Sequence, residues 1–130
     1  MKPETKRYLD KARSDLADAK RVAAIGLANI VARSTYFVAF HAAEAFIFER
    51  TGKAAKTHSG VRSEFARLAK ATPEIGKAVA AFLAEAYKFK EISDYGLDQS
   101  DSVTIEDANG AIANAARFVA VVAACLEAGN

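Results

Sequence analysis

The stretch from Asn29 to Arg50 limits the fold more than any other part of the chain. It carries four of the eight phenylalanines and one of the two histidines, and it contains no glycine or proline. Apolar residues fall on nearly every side of its helical projection, which predicts a helix buried on most of its circumference. Such a helix should keep ions out, yet Arg33, His41 and Glu44 lie within it. At about 100° per residue, Arg33, Phe37 and His41 drift by only about 80°, so they share one broad face. A charged side chain on an apolar helix has either a partner or a task.

The rest of the composition agrees with a helical chain. Its 130 residues suit one domain, taken as 1–130, with a sizeable core. Alanine is abundant, tryptophan is absent and proline occurs only twice, which points to an all-α, up-and-down bundle. A net charge of +2 does not by itself argue for nucleic acid, although a basic surface can form locally. The single cysteine, Cys125, allows no internal disulfide and fits a reducing cytosol; its apolar neighbours make it a small core residue. The opening residues lack the apolar centre of a signal peptide, and no uncharged apolar run reaches the ~18 residues of a membrane span. A soluble, cytoplasmic protein is expected.

Taken in order, Glu4 to Ala24 forms a first helix on the stripe Leu9, Ala12, Leu16, Ala19 and Ala23, with Lys11, Asp15, Asp18 and Arg21 on a solvated face. Gly26 closes it. Asn29 caps the second helix, which stops at Thr51 and Gly52. Lys53 to Gly60 is a polar loop bearing His58. Thr57 or Ser59 then caps a short helix from Val61 to Lys70. Thr72-Pro73-Glu74 signals the next helix, ending near Ser93, and Thr104 to Asp107 signals the last. The expected core includes Phe37, Phe40, Phe65, Phe82, Phe89, Ile112 and Val119. Four long helices and one short one result.

Most catalytic templates fail on spacing. There is no phosphate-cradling glycine loop, no Cys/His cluster and no Glu-x-x-His pair. Asp94, Asp98 and Asp101 lack the alternation of a calcium loop, so no metal and no cofactor is expected. Polar groups remain on the second helix (Arg33, Tyr36, His41, Glu44) and on the fourth and its exit (Lys88, Lys90, Asp94, Tyr95). Arginine and lysine suit phosphate, and tyrosine stacks on bases. The plainer alternative has Arg33 reaching to solvent, Lys90 paired with Asp94, and His41 as a hydrogen-bonded core residue.

The sequence resembles the HEPN superfamily, small prokaryotic helical proteins. The likeness rests on Arg33-x-x-Tyr36-Phe37-x-x-Phe40-His41-Ala42-Ala43, Lys56-Thr57-His58-x-Gly60, Ser93-Asp94-Tyr95 and Ala115-x-x-Phe118. The resemblance implies a homodimeric bundle paired with a minimal nucleotidyltransferase in a toxin–antitoxin-like module. It further implies nucleotide or RNA binding through Arg33, Tyr36, Lys90, Asp94 and Tyr95. Family nucleases use Arg-x4–6-His. Here Lys90 and Asp94-Tyr95 occupy that stretch, while Arg33 and His41 are separated by seven residues. An active metal-independent ribonuclease is the alternative reading, with His41 or His58 as general base and Arg33 or Lys90 stabilising the phosphorane. A structural adaptor is the third. Convergence of Arg33, His41, His58, Lys90, Asp94 and Tyr95 on one cleft is expected. Dimerisation is expected too, because Phe46, Ile47 and Phe48 exceed one apolar stripe.

Overall fold

The structure is a computed structural model that describes residues 1–96 and 103–128. Among these residues it is all-α: α1 (Pro3–Ala24), α2 (Ala28–Thr51), α3 (His58–Lys70), a single 3-10 turn (Pro73–Ile75), α4 (Lys77–Tyr95) and α5 (Ile105–Ala128). Asp98 and Asp101, and with them the aspartate set weighed against a calcium loop, lie outside the described residues.

Helix α2 is the axis of the bundle and touches all four other α-helices. Its alanines explain how. Ala32, Ala39, Ala42, Ala43 and Ala45 are fully buried, and small side chains let neighbouring helix axes approach closely. Larger residues fill what remains. Phe46 of α2, Phe65 of α3, Phe118 of α5 and Phe82 of α4 form a ladder with centroids 5.8, 5.2 and 5.9 Å apart. Burying one such ring contributes about 1.5–3 kcal/mol, and each tilted or edge-on pair adds about 0.5–1.5 kcal/mol. Phe118 appeared in the sequence only within a motif, yet it joins two steps of this ladder.

Several core expectations need correction. Phe40, Phe65, Phe82 and Val119 are buried, but Phe37, Phe89 and Ile112 are only half-buried. Phe89 lines an open groove between α4 and α5. On α5, Ala115 is fully buried and Ala116 half-buried. Phe46 and Ile47 are buried within the single chain, with Phe48 half-buried, so these residues require no second copy to cover them. Helix α5 is long and apolar enough to cross a membrane by length and composition alone; its inner face is filled by the bundle.

The caps also differ from expectation in places. Thr57 accepts the amide of Gly60 at 2.9 Å, so α3 starts at His58, which belongs to a helix rather than a loop. Thr104 likewise accepts the amide of Asp107 at 3.0 Å. Asn29 caps nothing, since α2 begins one residue earlier after Leu27. Thr72-Pro73-Glu74 starts only the 3-10 turn. Gly76, at φ +77° and ψ 156°, breaks the path before α4 begins, a conformation closed to residues with a Cβ. Thr72 donates back to the carbonyl of Leu68 instead of capping forward.

Candidate functional site

Arg33, Tyr36, Phe37 and Phe40 recur at helical spacing on α2, and α3 and α4 bring polar side chains to the same face. His58 opens α3, and Arg62 follows it by one turn. Tyr87, Lys90 and Asp94 succeed one another along α4. The exit of α4 is held to the start of α2, because Ser93 donates its hydroxyl proton to the carbonyl of Asn29 at 3.0 Å.

Tyr36 is the centre of this cluster. Only 1% of it is exposed, and its ring lies 5.2 Å from Phe37, 5.8 Å from Phe40, 5.5 Å from Tyr87 and 5.9 Å from His58. Its hydroxyl lies 2.9 Å from Nδ1 of His58, while Arg62 donates to the same oxygen at 3.5 Å. In the Nε2–H tautomer of the exposed His58, Tyr36 donates to Nδ1 and the other ring nitrogen has no hydrogen-bond partner among the described residues. Burial pushes the Tyr36 phenol above its ordinary value, opposed by Arg62 and then Lys90. His58 also stacks on Phe40 at 4.5 Å.

Cations surround this aromatic centre. The Arg62 guanidinium sits 3.8 Å over the Tyr87 ring, well within the range of a cation–π contact. Lys90 lies about 6 Å from the Tyr36 and Tyr87 rings. Its ammonium is 3.0 Å from Asp94, which also approaches Arg33 at 3.7 Å. The hydrogen bond that Lys90 donates to the Asp94 carboxylate holds Lys90 above its usual value. Asp94 therefore acts as a clasp between the two cations, and an incoming phosphate would have to exchange with it. Arg33 keeps 60% of its side chain exposed, whereas Lys90 keeps 15%.

The expected single cleft is not what forms. Arg33, Tyr36, His58, Lys90 and Asp94 come together; His41 turns away from them and shares a groove with Arg33 alone of these five, and Tyr95 stays at the exposed rim near Lys90. His41 turns toward α1, with Nδ1 2.7 Å from Glu44 and Nε2 3.5 Å from Asp15. The Phe37 ring separates the histidines, 6.2 Å from His41 and 5.9 Å from His58. His41 lines a groove of about 340 Å³ with Lys11, Asp15, Asp18, Phe37 and Arg33, so Arg33 borders both clusters. Part of the α1 face read as solvated is thus built around Asp15. Tyr95 ends α4 with 70% of its surface exposed.

Arg62 and Tyr87 were missed. A signal existed for both: Arg62 is four residues after His58, and Tyr87 is three before Lys90, so each shares a helix face with a residue already singled out. Among the described residues no group of three metal-ligating side chains gathers.

The fold and this face define a compact α-helical module with a cationic, aromatic flank. The family model of the HEPN domain matches residues 5–125, and the chain belongs to that family. At the level of the family, this makes it a nucleotide- or RNA-related module. No curated protein matches the chain.

Proposed function

We propose that the chain is a nucleotide- or RNA-binding module that works in the cytosol beside a nucleotidyltransferase-type partner, in a toxin–antitoxin-like system, as a homodimer. The observation that carries the binding reading is the gathering of Arg62 and Lys90 around Tyr36 and Tyr87, with Arg33 joined to Lys90 through Asp94. Fixed cations beside aromatic faces suit a ligand that alternates phosphate with base. Phosphate displaces the Asp94 carboxylate and meets Arg33 and Lys90, while the exposed Tyr95 at the end of α4 offers a ring for a base.

A ribonuclease is the second reading, supported by the exposed His58 ring beside Arg62. His41 is poorly placed for that chemistry, since both of its ring nitrogens face carboxylates in another groove.

The test is binding of total RNA and of mononucleotides by the parent and by an Arg33→Ala/Lys90→Ala double variant, without metal. The double variant should bind more weakly, and its salt slope for single-stranded RNA should fall by about 0.7 per lost phosphate contact. Unchanged affinity and slope would refute the site. Cleavage by the parent that is lost in His58→Ala would favour the nuclease; cleavage that survives would remove His58 from it.

A further inference from the structure

Residues of α4 and α5 together line a groove of about 680 Å³. Phe82, Phe89 and Ala111 give it an apolar lining, and Glu85, Glu106 and Asp107 stand exposed along it. No lysine or arginine lines the groove, and none of the three carboxylates has an ion-pair partner among the described residues. Arg117 adjoins the groove in a neighbouring hollow that shares Phe82, Glu85 and Asn114, while the groove itself is lined by carboxylates.

Gly110 adds an independent observation. It lines the groove from within α5, where glycine weakens a helix relative to alanine. Among the described residues nothing demands it: a Cβ built at Gly110 meets no atom of theirs within 4 Å. A glycine without an internal reason, on the wall of an open groove, suits the close approach of a backbone from outside.

We propose that the α4–α5 groove docks a cationic amphipathic helix of a partner protein. A third helix can lie along this groove by ridge-into-groove packing, where the half-buried Phe89 and the edge of the mostly buried Phe82, seven residues apart, match the repeat of an apolar helical stripe. Gly110 and Ala111 admit its backbone, and its lysines or arginines meet Glu85, Glu106 and Asp107. Phosphate-bearing ligands are repelled from the same rim. This docking does not depend on the nucleotide reading.

The experiment uses the full chain and a fluorescent model helix of about four turns, with leucines on one face flanked by lysines. The control is the same helix flanked by glutamates. The lysine helix should bind with salt-sensitive affinity and shift the Gly110 amide resonance, while the glutamate helix should do neither. Three exposed ion pairs of ordinary strength amount to about tenfold in Kd, so Glu85→Gln/Glu106→Gln/Asp107→Asn should weaken binding by about that factor. Gly110→Ala should raise the melting temperature yet weaken the peptide complex, a divergence that general damage to the fold cannot produce. Several results would overturn the proposal: equal binding of both helices, no binding of the lysine helix, or indifference to the triple neutralisation. So would a dimer in sedimentation that dissociates on Gly110→Leu, which would give the groove to a second copy.

Discussion

Tyr36→Phe separates what the Tyr36 ring contributes from what its hydroxyl contributes. The substitution keeps the ring among Phe37, Phe40, Tyr87 and His58 and deletes only the bonds to His58 and Arg62. A neutral intramolecular hydrogen bond contributes about 0.5–1.5 kcal/mol net. His58 is exposed and Arg62 half-buried, so both regain water when the hydroxyl goes, and no polar group is stranded. The cost should therefore fall at the low end, about 0.5–1 kcal/mol. For 130 residues the unfolding entropy is about 0.27 kcal/mol/K, so the melting temperature should drop by about 2–4 °C. Tyr36→Ala removes the ring as well and should cost about 3–5 kcal/mol, or about 11–18 °C. Urea unfolding followed by circular dichroism measures both, with the slope unchanged if only the native state is affected. Equal losses in the two variants would place the stability in the hydroxyl. A loss below about 1.5 kcal/mol for Tyr36→Ala would mean the ring is not packed as described.

Phe118→Ala should cost about 3–5 kcal/mol, and a double-mutant cycle with Phe65 should return a coupling of about 0.5–1.5 kcal/mol; additivity would disprove the ladder. Glu49 governs an acid-dependent part of stability. It accepts from the Lys2 amide and from the buried Thr5 hydroxyl, both at 2.9 Å, and the backbone bond from Lys2 is the main cause holding its carboxyl below the ordinary value. Because the folded value is depressed, this stability is present above the unfolded value of about 4.3 and is lost as pH falls through the folded one. Glu49→Gln should flatten the stability profile in that acid window and nowhere else, as pH-dependent thermal melts would reveal.

The parts of the fold that were legible are those where one local rule decides. Helix α2 was plain from its length, its phenylalanines and its lack of glycine and proline. Thr57 and Thr104 were readable as caps because an N-cap needs only its own helix. The start of α4 was misread because Pro73 suits the first turn of a 3-10 helix as well as that of an α-helix. The decisive residue was Gly76, whose backbone angles do not show in a hydrophobic pattern. Phe89 and Ile112 failed for a different reason: stripes reveal which side of a helix is apolar, not how far a neighbouring helix covers it. The candidate site divided along the same line. Arg33, Phe37 and His41 do share a broad face, but the histidines turn to different partners across it, and the packing of Phe37 and Phe40 against both rings, which no spacing reveals, fixes that division.

The central position of α2 also has a consequence for how the chain is made. α1 and α2 are neighbours in sequence and can pair as soon as both exist, leaving the rest of α2 bare. The helix that covers much of it, α5, begins at Ile105, 54 residues beyond Thr51. At translation rates of about 5–20 residues per second, the interval is roughly 3–10 s. During those seconds Phe46 and Ile47 lack part of their eventual cover and are exposed to neighbouring nascent chains. A protein whose last helix seals its middle one must rely, until synthesis ends, on whatever shields apolar surface at the ribosome.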